Sequence, residues 1–253
     1  MIFYRSYRFT YRLIGILVLF CFPYNLLSQN ENKKKSEFDI YSYKPEPKDR
    51  IILEVNHNGW LNPPSGVKGK LTSGGVNFYL YFDFPIRNTK FSFAVGGGIS
   101  SYNMHGKFNI RYKIDSLKNE IVFSDLVRRD EPYKKNRFGL KILEVPVEFR
   151  FRTHSSYQLK VMLGFKTGIV VQSFRKVFDA DGKRKAYDVY GVNTLRYGPH
   201  FRIGIEQIHI TGFVALSSLF SKGKGSADIM PYSLGLAWTP RVSLGSGKVT
   251  QQF

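Results

Sequence analysis

Among 253 residues there is one cysteine, Cys21. A lone thiol excludes both a disulfide scaffold and a cysteine-built metal centre. Long hydrophobic runs are missing too: the longest apolar stretch, residues 13–22, falls well short of the ~20 residues a membrane-crossing helix needs. Acidic residues are scarce, 19 against 38 lysines and arginines, for a formal charge of +19. Even so, 43% hydrophobic and 16% aromatic residues exclude a disordered basic tail. An excess of positive charge suits either nucleic acid or a phosphate-rich lipid surface, and composition alone does not separate the two.

Arg5, Arg8 and Arg12 precede the apolar stretch, and Pro23, Tyr24 and Asn25 follow it. That order of charged, apolar and polar segments is a secretory signal peptide. Leu26 and Ser28 fit the −3 and −1 positions of a cleavage before Gln29, so residues 1–28 are expected to be removed and Cys21 with them. Phe20 is too bulky for lipoprotein processing at Cys21. The remaining 225 residues carry +16. Residues 29–49, with Lys33, Lys34, Lys35, Pro45 and Pro47, read as a flexible periplasmic lead-in.

From there on no helical period stands out, and apolar and polar residues alternate, which is a strand signal. The clearest case is LEVPVEFRFR, residues 143–152: Leu143, Val145, Val147, Phe149 and Phe151 share one face, and Glu144, Glu148, Arg150 and Arg152 the other. The same parity marks seven further segments, for example Phe78, Leu80, Phe82 and Phe84 against Asn77, Tyr79, Tyr81 and Asp83. Long links, 62–72, 103–139, 175–196 and 221–229, alternate with short turns near Arg87 and Asn88, His154 and Ser155, and Glu206 and Gln207. The last turn places Ile205 opposite Ile208, as a hairpin register requires. Long links at one end and tight turns at the other are the habit of transmembrane barrels.

The expected fold is therefore all-β, an eight-stranded antiparallel up-and-down transmembrane β-barrel over residues 50–240, with a C-terminal tail at 241–253. The bulky faces are too large for an eight-stranded lumen, so they face lipid, and the lighter polar faces with their glycines face inward. Tyr102, Tyr157, Tyr197, Tyr232 and Trp238 fall near strand ends, where interfacial aromatics are expected. Pro146 lies inside the clearest strand and lacks a ladder donor, so a bulge or distorted ladder is expected there.

LEVPVEFRFR, with FSFAVGGGISSYN before it and LKVMLGFKTG and PYSLGLAWTP after it, resembles the PorT-like outer-membrane β-barrel domain family of Bacteroidota. In that family a strand reading leucine, Glu, aliphatic, Pro, aliphatic follows the largest extracellular loop. The resemblance covers residues 50–240 and implies an outer-membrane location and a non-enzymatic protein. It also implies an accessory role in type IX-like protein secretion or surface assembly, with other envelope or secretion proteins as partners. The tail past Trp238 departs from the usual aromatic C-terminus, leaving Trp238 or Phe253 for that role.

The inward faces gather Glu54, Asp83, Glu144 and Glu148 with Arg150, Arg152, Lys160, Lys166 and Arg202. A proton path or a catalytic carboxylate pair would use such residues. Charges in a narrow lumen must pair, so an interior salt-bridge network is expected instead. His200 and His209 are inward but not placed as a metal pair, and no G-x-S-x-G occurs. Asp179, Asp181 and Gly182 begin like a calcium loop but lack the remaining ligands, and residues 222–226, KGKGS, lack the spacing of a phosphate loop. No cofactor or metal is expected from the sequence. The long links hold Lys134, Lys135, Lys183, Arg184, Lys185, Lys222 and Lys224, and ten of the sixteen net charges. At the rim of a barrel they would meet outer-membrane lipid and lipopolysaccharide rather than nucleic acid; the alternative role is a surface-binding barrel whose cationic loops hold an extracellular ligand or lipopolysaccharide.

Overall fold

Strict alternation of side chains is stable only where two different environments face the two sides of a strand, and here both environments are supplied by closing the sheet on itself. The computed structural model describes residues 50–240 apart from 87–88, 154–157, 181 and 227. In chain order the strands are β1 (Ile51–Leu61), β2 (Lys68–Gly69), β3 (Gly74–Pro85), β4 (Phe91–Lys107), β5 (Asn109–Asp115) and β6 (Glu120–Val127). They continue with β7 (Lys135–Arg152), β8 (Leu159–Asp179), β9 (Gly182–Tyr187), β10 (Leu195–Ile205), β11 (Ile208–Val214) and β12 (Met230–Trp238).

Eight of these form the ring β1–β3–β4–β7–β8–β10–β11–β12, antiparallel throughout, and β12 closes on β1 through Leu53 opposite Trp238. The fold class and the parity follow the sequence expectation. Val55, Phe82, Val145, Leu163, Ile208 and Leu236 point outward and are exposed, whereas Glu54, Tyr79, Tyr81, Glu148 and Arg202 point inward and are buried. Glu206 takes a left-handed φ of 57° in the tight turn, which sets Ile205 opposite Ile208. The other two expected short turns, the signal peptide, the lead-in, Tyr157 and the tail lie wholly or partly outside the described residues.

Four expectations are corrected. The strands run further than the apolar alternation: β8 has 21 residues, ~70 Å at ~3.3 Å each, so it extends past any hydrocarbon layer. Consequently Lys135 lies on β7, and Lys183, Arg184 and Lys185 lie on β9, which pairs with the outer part of β8; these are strand residues rather than loop residues. The long link between β4 and β7 carries its own hairpin, β5–β6. Tyr102 is not interfacial: it points inward, 1% exposed, and its hydroxyl donates to Gly59 O at 2.6 Å.

At Pro146 the outcome is a gap and not a bulge. The β4–β7 ladder pairs Val95 with Val147 and resumes at Gly98 with Glu144, in the same register, while β8 pairs with β7 straight through Pro146 opposite Lys166. The missing donor therefore faces β4, and the cost stays on one side. The register shift on β7 occurs instead between Lys141 and Ile142.

A charge placed on the outward face tests the inside-out arrangement. Leu163 is 58% exposed near the middle of the apolar belt, and L163R is expected to lower the unfolding free energy in lipid vesicles by about 2–4 kcal/mol. Denaturant titration of vesicle-folded protein measures this; an unchanged midpoint would be incompatible with lipid contact at that face.

Candidate functional site

The described chain places functional-looking side chains in two regions, the lumen and the cap built by the long links. In the lumen, Glu148 is the hub. Arg202 Nη2 donates to both its oxygens at 2.6 Å, Arg150 Nε donates at 2.8 Å, the Tyr81 hydroxyl donates at 2.6 Å, and His200 Nε2 lies 2.8 Å away. Glu148 and Arg150 meet because residues two apart on a strand share a face. Both guanidiniums also lie over the Tyr81 ring, at 4.5 Å for Arg150 and 5.2 Å for Arg202.

A second cluster centres on Glu54, which accepts from Asn77 Nδ2 at 2.9 Å, Lys166 Nζ at 3.2 Å and Thr211 Oγ1 at 3.3 Å. Lys166 also donates to the Tyr79 hydroxyl at 3.2 Å, and that hydroxyl donates to Glu144. Asp83 takes Arg152 Nη2 at 2.6 Å. All nine residues expected to form the inward network do face the lumen, Lys160 included. The reading from sequence missed Tyr79 and Tyr81 as members, although their inward parity was already visible, and it missed Arg196, which sits 4.8 Å from the Tyr102 ring and 4.6 Å from Phe213.

Toward the long links the lumen changes character. Trp60, Tyr102, Met104, Phe138, Leu140 and Ile142 point inward from the barrel strands, and the links add Val67, Phe108, Leu126, Val189, Phe220 and Ile229 to one apolar core. Trp60 packs edge-on against Phe108 at 5.1 Å. This plug corrects the expectation of a polar interior along the full length. Below it, the space lined by Glu54, Asn77, Tyr79, Glu144 and Lys166 has about 10 Å³ of free volume, room for about one water.

The plug also holds the links to one another. Ser124 of β6 donates from its hydroxyl to Tyr190 O at 2.6 Å and from its amide to Lys224 O at 3.0 Å, and the Ser226 hydroxyl donates to Asp125 at 2.9 Å. The KGKGS stretch is therefore fastened to β6, with Gly223 supplying a left-handed turn at φ 76°.

Outside the plug a groove of about 670 Å³ lies between the link holding β5–β6 and the β8–β9 hairpin, lined by Arg129, Arg175, Arg184 and Lys185 among others. Asp179 bridges Arg129 at 2.9 Å and Arg184 at 2.5 Å, so its carboxylate is engaged by two guanidiniums. Arg175 is held by Ile110 O at 3.2 Å and by Asn109. Four cations against Glu131 and Asp179 leave the groove positive.

Two outcomes follow from these contacts. Removing the hub charge with E148Q leaves Arg150 and Arg202 buried against a neutral amide, and a loss of about 3–5 kcal/mol in denaturant unfolding is expected; the exposed E120Q should stay within about 0.5 kcal/mol. At the groove, the Arg184 hydrogen bond, with further help from Arg129, holds the Asp179 carboxyl below its ordinary value of 3.8. A lowered carboxyl stabilises above its ordinary value and loses that contribution as pH falls through the lowered one. Hydrogen-exchange protection of β9, corrected for intrinsic rates, should therefore be flat from neutral pH down to about 4 and fall only below it. Loss of protection between pH 7 and 5 would contradict the pairing.

Comparison with known proteins bears on the same fold. The family described as outer membrane protein beta-barrel domain matches residues 20–221. That span ends before β12, which the structure supplies as the eighth strand. No curated protein matches the chain. Among solved structures, the crystal structure of Ail, the attachment invasion locus protein of Yersinia pestis, is 16% identical, with 75% of this chain and 95% of that one covered and a TM-score of 0.34.

Proposed function

The chain belongs to the outer membrane protein beta-barrel domain family, and on that premise we propose a non-enzymatic, non-conducting barrel of the cell outer membrane that displays a folded cap for binding an acidic extracellular ligand. The filled lumen carries this reading: among the described residues paired charges occupy one half and an apolar plug the other, and the space between Glu54, Tyr79, Glu144 and Lys166 holds about one water. What remains for function is the cap, and its groove is lined by Arg129, Arg175, Arg184 and Lys185. An anionic polymer such as an acidic polysaccharide suits that lining, because its repeated carboxylates or sulfates would meet several guanidiniums at once.

A second reading, an accessory of type IX-like secretion or surface assembly, draws on the PorT-like resemblance and on one surface feature. The β5–β6 tip exposes Ile114, Leu117, Ile121 and Val122, with Leu117 96% exposed. An apolar tip of that kind suits a protein partner.

Purified protein in planar bilayers is expected to give no conductance steps, and to bind dextran sulfate but not neutral dextran. R175Q/R184Q should weaken the sulfated polymer about tenfold. Stable conductance steps would sink the non-conducting reading, and unchanged polymer affinity in the double variant would remove the groove from it. Loss of secretion in a strain whose copy has L117D and I121D, with dextran sulfate binding intact, would favour the accessory role.

A further inference from the structure

The outer wall of the barrel, above the apolar belt, carries cations that face away from the lumen, Lys185 among them lining the groove as well. The register aligns His105, Arg137, Lys176 and Lys185 in one row across β4, β7, β8 and β9, and Lys135 and Lys183 flank Phe178 in the next row out. Nearer the membrane, Lys141 lies two residues beyond the lipid-facing Leu143 on the same face of β7.

These cations crowd one another. The charge of Lys183 first, then slight burial and the charges of Lys135, Lys185 and Arg137, pull the Lys176 ammonium below its ordinary pKa. Among the described residues, Lys135, Arg137, Lys141, Lys176 and Lys183 have no carboxylate partner: Arg137 bonds to Asn103 Oδ1 and Lys141 to Ser101 Oγ. A patch of like charge without counter-charges is a site whose counter-ions come from elsewhere.

A groove of about 660 Å³ joins this patch to the belt. Val76, Ile99, Leu143 and Val171 line it together with Arg137 and Lys141. Two residues along a strand are ~7 Å, so Lys141 stands in the headgroup layer, which adds ~5–8 Å to each side of the hydrocarbon. Arg137, bonded to Asn103 opposite Gly139, follows further out on the same face, with Lys176 beside it.

We propose that this wall binds a phosphorylated glycolipid of the outer leaflet, with its acyl chains along Val76, Ile99, Leu143 and Val171 and its phosphates on Arg137, Lys141 and Lys176. Free phosphate would use the cations but would have no need of an apolar groove continuous with them. A zwitterionic phospholipid would bring its own ammonium into an already cationic patch. The phosphorylated glycolipid is the one outer-leaflet chemistry that matches both parts.

The test titrates the mature full-length protein in detergent with bis-phosphorylated lipid A, followed by native mass spectrometry. R137Q/K141Q/K176Q is set against K113Q/K222Q/K224Q, which removes equal charge from the cap. The wall triple is expected to lose roughly 100-fold in affinity, at about fivefold per cation, while the cap triple stays close to wild type. K141Q alone, which gives up only the Ser101 contact, should fold and lose about fivefold. Raised salt should weaken the wild type far more than the wall triple. Equal lipid A affinity in the two triples, or in wild type and K141Q, overturns the site. Pyrophosphate or a dephosphorylated lipid A binding as tightly as bis-phosphorylated lipid A overturns its assignment to a phosphorylated lipid. None of these outcomes touches the dextran sulfate groove, whose arginines are unchanged in every variant.

Discussion

A charge buried without a partner costs several kcal/mol, and a closed ring of eight strands offers its inward charges almost no water. Most of the architecture answers to that constraint. Glu148 needs two guanidiniums, a phenol and a histidine around it, so three strands must hold fixed heights relative to one another. The phenols that complete the shells need space across the sheet, and the neighbouring strand provides it by carrying no side chain there. A Cβ on Gly98 would stand 2.3 Å from the Tyr79 ring. With paired charges, phenols and glycines filling this part of the inside, the row of Phe, Leu and Val side chains is left for the outside, where hydrocarbon accepts it.

The same ring contains two interiors of opposite chemistry. Near the short turns it is polar and directional, and each hydrogen bond fixes a register. Near the long links it is apolar, built around Trp60, Phe108 and Phe138 as in a soluble core. The links thus fold as a lid whose underside is shared: Val67, Phe108, Val189 and Phe220 come from four different links and are buried together. A cap held in this way presents a fixed surface, with exposed apolar residues concentrated at the β5–β6 tip.

The ring itself was legible in the sequence because lipid and lumen impose a period of two on every spanning strand. Parity alone put Glu54, Asp83, Glu144 and Arg202 inside, and the same parity carried on from Ser92 and Ala94 leads to Tyr102 inside. Position near a strand end argued for an interfacial ring instead, and that argument was the weaker one. In RKVFD, residues 175–179, charged and apolar residues stand on both faces, with Val177 and Asp179 buried and Phe178 exposed, and KRKAY meets water on both faces, so no alternation survives and the outer extensions of β8 and β9 read as loop. The plug was hidden for a different reason. Its link residues are single apolar side chains scattered along polar stretches, and only the tertiary fold brings Leu126 beside Ile229. The hub of the lumen was legible as a set of charges but not as a geometry, since which arginine meets Glu148 depends on the stagger between β7 and β10.

β12 bonds to β11 on one side and to β1 on the other, so residues 53 and 238 lie opposite each other at the seam. A ring has no intermediate size. Until the final strand arrives, β1 and β11 each present an unpaired edge, and a slit runs the height of the wall with Glu54 beside it. Such a slit would open a polar lumen onto hydrocarbon, which tolerates neither bare backbone nor charge. The first strand made is thus held in waiting for the last, and crossing the bilayer and sealing the seam become one event rather than two.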